Sequence, residues 1–294
     1  MKDAKIIAMT AIAPVIWGTT FLVTTQFLPP DRPFTAAVMR VLPAGILLAL
    51  WGRRFPAGRN LLKLLTVSAL NIGVFQALLF ISAYRLPGGQ AAVAAAIQPV
   101  LVMILARVFD DQKPSAGKLV AAGGIIIGMS VLFLSPDAVW DPVGVTAALM
   151  SAASLATGTW LSRKWDLDMP VTALTGWQLM TGGIMLLPLA ILHDSPLPPL
   201  GLSEAAAYVY LFTFNAMLSY VLWFAGVKRL PAVAVTSLGL LSPVTAVLLG
   251  WAVLNQNPGL SGMAGLITVL FSILLMQKFS AEQPARDVHI RTVV

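Results

Sequence analysis

Long apolar runs separated by short polar breaks fill the chain from near its start to about position 278. A run of about 17–25 apolar residues matches the hydrocarbon thickness of a bilayer. Ten runs qualify, at roughly 6–27, 34–51, 62–84, 90–108, 116–134, 142–162, 170–192, 204–227, 232–253 and 259–277. The pattern predicts an all-α integral membrane protein of ten transmembrane helices. The breaks are short and rich in Pro, Asp, Arg and Lys, and none could hold a soluble catalytic domain. Lys2 and Lys5 ahead of the first run look like the start of a signal peptide, but the run continues through Phe27 without a cleavage site. It reads as a retained first helix. The last stretch, 279–294, is polar and reads as a disordered tail.

Composition agrees. Hydrophobic residues make up 58% and charged residues 11%, against about 45–50% and about 25% in soluble domains. Mean hydropathy is +0.85. Cysteine is absent, so disulfide and thiol chemistry are excluded. Ten helices place both termini on one side, and basic residues concentrate on the cytoplasmic side. With a cytoplasmic N-terminus, 16 of the 19 basic residues fall in cytoplasmic segments, Arg32 and Arg85 lie outside, and Arg40 lies within a span. The expectation is a multi-pass protein of the cell inner membrane with both termini cytoplasmic. The net charge of +7 is then a topology signal and gives no reason to expect nucleic acid.

The two halves of the chain repeat. Residues 71–134 align with 215–278 without a gap at an offset of 144, pairing Asn71 with Asn215, Phe80 with Phe224, Arg85-Leu86-Pro87 with Arg229-Leu230-Pro231, and Pro99 with Pro243. Earlier in each half the offset is 138, which pairs Gly45 with Gly183 and Arg40 with Gln178. Five spans per half is an odd number, so the halves enter the membrane in opposite directions. The expected units are a first five-helix repeat, 1–138, an inverted second repeat, 139–278, and the cytoplasmic tail, 279–294. Secondary transporters build alternating access from such inverted repeats, with a site near the midplane.

Trp17-Gly18-Thr19-Thr20-Phe21 in the first span, Arg40 in the second, the Pro-centred fourth and ninth spans with Pro99 and Pro243, and the glycine-rich fifth and tenth spans resemble the drug/metabolite transporter superfamily. The likeness is to its EamA-type members of ten helices, and covers nearly the whole chain. Within that family the chain looks most like the YddG-type aromatic amino acid exporters. The resemblance implies a central cavity lined by the first four helices of each half, with the fifth and tenth helices peripheral. One departure stands out. Many EamA-type proteins carry Gly-Glu at the ends of the fourth and ninth helices, where this chain has Asp110-Asp111 and Asn255-Gln256.

The absences narrow the chemistry. Both histidines, His193 and His289, lie outside the spans, and no metal-ligand motif, cofactor signature or GxxxxGK[ST] loop is present. The expectation is no enzyme, no cofactor and no metal, with a small molecule and the lipid bilayer as partners and no obligate protein partner. No buried carboxylate is apparent in the spans to carry a proton, which points to a facilitator.

Arg40 is the one charged residue well inside a span, where insertion costs about 2.5–3.5 kcal/mol. It could bind a substrate carboxylate, or serve structure by capping carbonyls freed at Ala95 and Gly239 by Pro99 and Pro243 or by snorkelling to the outer interface. Gln98 and Ser242, immediately before those prolines, are placed to satisfy the same carbonyls. The prolines are either packing kinks or gates that bend. Asn71 and Asn215 suit interhelical hydrogen bonds or ligand contacts, and Gln178 keeps a donor without the charge. Trp17, Trp177 and Tyr220 could stack a flat cargo or pack toward lipid, while Trp160 and Trp223 are ambiguous. Together these residues suggest an exporter of amino acids, aromatic ones included, or of related metabolites. A multidrug or cationic-compound exporter is the alternative, with the positive site against it.

Overall fold

The structure, a computed structural model, describes residues 2–56, 58, 60–86, 91, 97–133, 141–165, 167–254 and 259–281. All secondary structure among them is helical. In chain order the elements are α1 (Lys2–Phe27), α2 (Pro33–Gly52), α3 (Asn60–Ser68), a π-helical turn (Ala69–Val74), α4 (Phe75–Arg85), α5 (Gln98–Phe109) and α6 (Ala116–Phe133). Then come α7 (Pro142–Lys164), α8 (Val171–His193), α9 (Leu202–Tyr210), a second π-helical turn (Leu211–Leu218), α10 (Ser219–Arg229), α11 (Ala232–Leu238), α12 (Leu241–Leu254) and α13 (Gly259–Ala281).

Among the described residues, 7 helical rods are long and apolar enough to cross a membrane: Ala4–Phe27, Pro33–Gly52, Asn60–Arg85, Val171–His193, Leu202–Arg229, Ala232–Leu254 and Gly259–Met276. Gln98–Phe109 and Ala116–Val131 are apolar but shorter. The rod α7 is 23 residues long, and it buries Ser151, Ser154 and Thr159. Hydroxyls lower the hydropathy of the rod, and that of Ser154 donates to the Leu70 carbonyl of a neighbouring helix at 2.7 Å. The last helix continues to Ala281, so Phe279, read above as the start of a tail, is helical. Its ring lies 2.5 Å from where a Cβ on Gly117 would stand, and this packing prolongs the helix. The rest of the expected tail, with His289, lies outside the described residues.

Small residues bring the helices together, as they do where packing rather than water exclusion drives association. At the crossing of α2 and α8, a Cβ on Gly45 would collide with the Met180 amide and one on Gly176 with the Ala49 amide. A Cβ on Gly52 would lie 2.6 Å from Ala173 Cα. The pair α6 and α13 meets the same way, with Gly128 against the Gly265 carbonyl and Gly124 against Ser272. Beside these contacts α1 packs on α10 and α12, and α7 on α4 and α5. The buried centre holds Trp17, Phe80, Tyr220, Trp223 and Phe224.

Polar clasps tie both ends of the bundle. At one end Arg85 pairs with Asp141 at 3.0 Å, and Asp141 caps α7 by accepting from the Val143 and Gly144 amides. The Gly144 amide foremost, then Arg85, hold the Asp141 carboxyl below its ordinary range. Tyr84 donates to the Pro29 carbonyl at 3.0 Å nearby. At the opposite end Asp110 accepts from Trp160 Nε1 at 2.5 Å and from Lys164 at 2.9 Å, while Lys228 donates to the Met169 carbonyl at 2.5 Å.

Three of the continuous runs read from sequence are interrupted. The two π-helical turns, Ala69–Val74 and Leu211–Leu218, fall where a single α-helix is expected, and each carries an asparagine. Such turns inside α-helices gather at functional sites. The third break separates α11 from α12 at Gly239-Leu240, ahead of Pro243. There the Gly239 carbonyl is satisfied by the Ser242 amide at 3.0 Å. The backbone meets the need for which the Ser242 side chain and Arg40 were candidates. The matching carbonyl of Ala95 lies outside the described residues.

Candidate functional site

Arg40 sits midway along α2 and is 1% exposed. Its Nη1 donates to Gln76 Oε1 at 3.1 Å, and its guanidinium carbon stands 5.8 Å from the centre of the Phe80 ring, within cation–π range. Gln76 passes the contact on, its Nε2 donating to the Tyr220 hydroxyl at 2.6 Å. A guanidinium only donates, so the Gln76 amide has its oxygen toward Arg40 and its nitrogen toward Tyr220. Among the described residues Arg40 has no carboxylate partner, and its Nε has no hydrogen bond.

An aromatic column stands beside this chain of bonds. Trp17 lies 5.0 Å from Tyr220 and 5.0 Å from Trp223, ring centre to ring centre and tilted. The Trp17 indole is fixed by donating to the Asn215 backbone carbonyl at 2.9 Å. The Asn215 side chain donates to the Ile16 carbonyl at 2.8 Å and accepts from Thr20 at 3.1 Å, tying the second π-helical turn to α1.

Arg40, Trp17, Trp223 and Thr20 border one cavity. Its apolar walls are Trp17, Phe21, Phe75, Leu79, Leu155 and Trp223. The broken ninth run supplies Gly239, Leu240, Ser242 and Pro243, and the remaining polar groups are Thr20, Arg40 and Gln98. The break matters here: it opens α11 from α12 at the point where the chain borders the cavity.

The residues singled out from sequence divide into three sets. Trp17, Arg40, Gln98, Ser242 and Pro243 border the cavity. Tyr220 and Asn215 stand behind it, holding Gln76 and Trp17. Asn71 and Gln178 are buried elsewhere: Asn71 Nδ2 donates to Gln178 Oε1 and to Ser162 Oγ, both at 2.9 Å. Pro99 is buried in the first turn of α5, next to Gln98. Trp177 lies apart from the cavity, donating to the Arg54 carbonyl at 2.8 Å and packing 5.4 Å from Phe55. One residue along a helix turns the side chain by about 100°, so Trp177 points elsewhere than Gln178.

Sequence reasoning missed Gln76, the only hydrogen-bond partner of Arg40 among the described residues. The signal was present, since the offset of 144 places Gln76 over Tyr220, and these two residues bond to each other.

Comparison with known proteins fits this geometry. The profile of the EamA-like transporter family matches residues 4–134 and 142–277. The chain belongs to the EamA-like transporter family. It is 41% identical over 273 residues to Protein PecM of Dickeya dadantii, covering 91% of each chain. It is 25% identical to the uncharacterized inner membrane transporter YedA of Escherichia coli, over 93% of this chain and 91% of the relative. A probable terminal-alkyne amino-acid exporter of Streptantibioticus cattleyicolor is also 25% identical, over 92% and 94% respectively. A crystal structure superimposes with a TM-score of 0.76, covering 95% of this chain and 98% of that one. At 16% identity that likeness concerns the fold alone. The chain is thus a multi-pass membrane protein of a transporter family.

Proposed function

We propose that the protein exports small carboxylate-bearing metabolites, amino acids and aromatic ones among them, across the inner membrane by alternating access without proton coupling. The observation that carries this reading is Arg40, a buried guanidinium bordering an aromatic cavity with no carboxylate to neutralise it among the described residues. A substrate carboxylate supplies the missing charge through parallel hydrogen bonds that a guanidinium is shaped to make. Trp17, Trp223 and Phe75 offer ring faces to the apolar remainder of the cargo. A cationic cargo would meet like charge with no acid to hold it, which disfavours multidrug export. The relative named as a probable amino-acid exporter supports the same direction.

The mechanism rests on the two repeats, 1–138 and 139–278, as ten spans of opposed orientation with both termini cytoplasmic. In support, the offset of 144 maps one π-helical turn, Ala69–Val74, into the other, Leu211–Leu218. The break ahead of Pro243 serves as a bending gate, with Pro99 as its counterpart. Counterflow in proteoliposomes with a labelled amino acid panel tests the whole reading. Exchange should proceed equally with and without a pH gradient, and Pro243→Ala should slow it while leaving the protein folded. Substrate-dependent proton flux would overturn the uncoupled mechanism, and absence of any exchange would overturn the function.

A further inference from the structure

The polar atoms left without partners around the cavity share one chemistry. Arg40 Nε, Gln98 Nε2 and Trp223 Nε1 are buried and unbonded among the described residues, and all three are N–H donors on side chains that border the cavity. Arg40 and Trp223 are each 1% exposed and Gln98 7%. A buried donor without an acceptor is costly, so three of them around one space call for a ligand rich in acceptor oxygens. Arginine and indole nitrogens cannot reverse their role. The glutamine amide, turned over, would offer an oxygen but no charge.

The complementary half of an amino acid finds no charged counterpart among the described residues. An ammonium brings three donors and a positive charge, yet among the described residues Arg40 is the one charged side chain on the cavity wall. Every described acidic residue lies at a helix end or in a loop. The Thr20 and Ser242 hydroxyls and the Gln98 carbonyl could accept from an ammonium but carry no charge to balance it. A zwitterion would leave the guanidinium's charge uncancelled in a desolvated site, whereas a monoanion cancels it. Resting on the transport reading above, we infer that the preferred cargo is a net anion, an aryl or alkyl carboxylate whose amine is absent or acylated. We infer further that its movement is electrogenic.

Electrogenic movement follows from the charge count. One negative charge crosses per turnover, and no acidic side chain within the described spans can carry a compensating proton. The guanidinium keeps its proton throughout. An inside-negative potential therefore drives the anion outward, which gives an exporter a source of energy without proton coupling.

Three probes sharing one ring separate the possibilities: N-acetyl-L-phenylalanine (monoanion), L-phenylalanine (zwitterion) and L-phenylalaninamide (cation). Uptake of each is measured in proteoliposomes of the full chain, against protein-free vesicles. The anion should enter at least tenfold faster than the zwitterion, and the cation should not exceed the protein-free rate. A tenfold potassium gradient with valinomycin, made positive inside, should concentrate the anion up to about tenfold. Arg40→Gln should abolish both the preference and the response, and Arg40→Lys should restore part of each. Thermal unfolding of both variants in detergent checks that they are folded. Uptake of L-phenylalanine equal to that of the anion, or anion uptake indifferent to potential, would overturn the inference while leaving the export function standing. Uptake of none of the three would overturn both.

Discussion

Asn71 and Asn215 are equivalent by sequence offset, each lies in a π-helical turn, and each is fully buried. Their surroundings differ, most plainly at the side-chain oxygen. Asn215 Oδ1 accepts from Thr20. The position matching Thr20 at the offset of 138 is Gly158, whose α-carbon faces Asn71 so closely that a Cβ there would collide with Oδ1. Among the described residues Asn71 Oδ1 is consequently left without a partner. The same comparison extends to the charged position. Arg40 borders the cavity and reaches Gln76, while its counterpart Gln178 is tied to Asn71 and borders no cavity described here. The polar residues around Arg40 and Asn215 stand beside an open space, while Asn71 and Gln178 close helices on one another. Positions equivalent by sequence offset thereby form an asymmetric site, positive on one side only.

The largest stability effect should come from forcing the two hubs to match. Gly158→Thr copies the hydroxyl of Thr20 into a place without room, and overpacking of this kind costs about 1–3 kcal/mol. Thermal unfolding in detergent should show a clear loss. Gly123→Thr is the control: a Cβ there meets nothing within 4 Å, and threonine has the higher helix propensity of the two, so stability should be unchanged or slightly raised. Equal losses at the two positions would mean that the close approach of Gly158 to Asn71 is immaterial.

Removing the asparagines sharpens the contrast by a smaller amount. Each Asn side chain makes interhelical bonds, which in membranes average about 0.6 kcal/mol and reach about 1.7 kcal/mol. Asn215→Ala should fall near the upper figure, because its carbonyl and amide ends are both engaged. Asn71→Ala also removes an orphaned oxygen and should fall below the average. The measurement is the difference in unfolding midpoint between the two variants, and the reverse order would break the comparison.

Much of the fold was legible in the sequence, because a bilayer demands long apolar runs and tolerates few exceptions. The run read at 34–51 is the helix Pro33–Gly52, and that at 142–162 is Pro142–Lys164. The glycine-rich character of the fifth and tenth spans was readable as well, and Gly124 and Gly128 are where those helices meet. The π-helical turns were not, since Ala69–Val74 and Leu211–Leu218 have the same apolar composition as the α-helix on either side. At the site, Arg40 drew attention because a charge in an apolar run must be compensated. Gln76 did not, because an uncharged amide carries no such demand. Trp177 shows the limit of reading type without phase: a tryptophan in an inner stretch is placed by helix rotation, which composition does not reveal.

The smallest effect lies at the bundle's end. Asp141 is held below its ordinary value of 3.8 by the Gly144 amide and Arg85. Its ionised form therefore stabilises the fold fully above that value, and the contribution fades as pH falls through the lower folded value. Asp141→Asn should lower the unfolding midpoint slightly at neutral pH, and the gap from the parent should close as the solution is acidified. A gap independent of pH would mean that the carboxylate's charge contributes nothing there.

The most direct test leaves Arg40 in place and satisfies it from within. Gln76 already lies 3.1 Å from its guanidinium, so Gln76→Glu gives Arg40 a carboxylate at the same distance with almost no change of shape. If Arg40 holds the substrate's carboxylate, this variant should be at least as stable as the parent. Its binding and transport of carboxylate-bearing substrates should then fall at least tenfold. Undiminished transport by a folded Gln76→Glu protein would contradict the account, because Arg40 would then be a structural charge and the substrate would be held elsewhere.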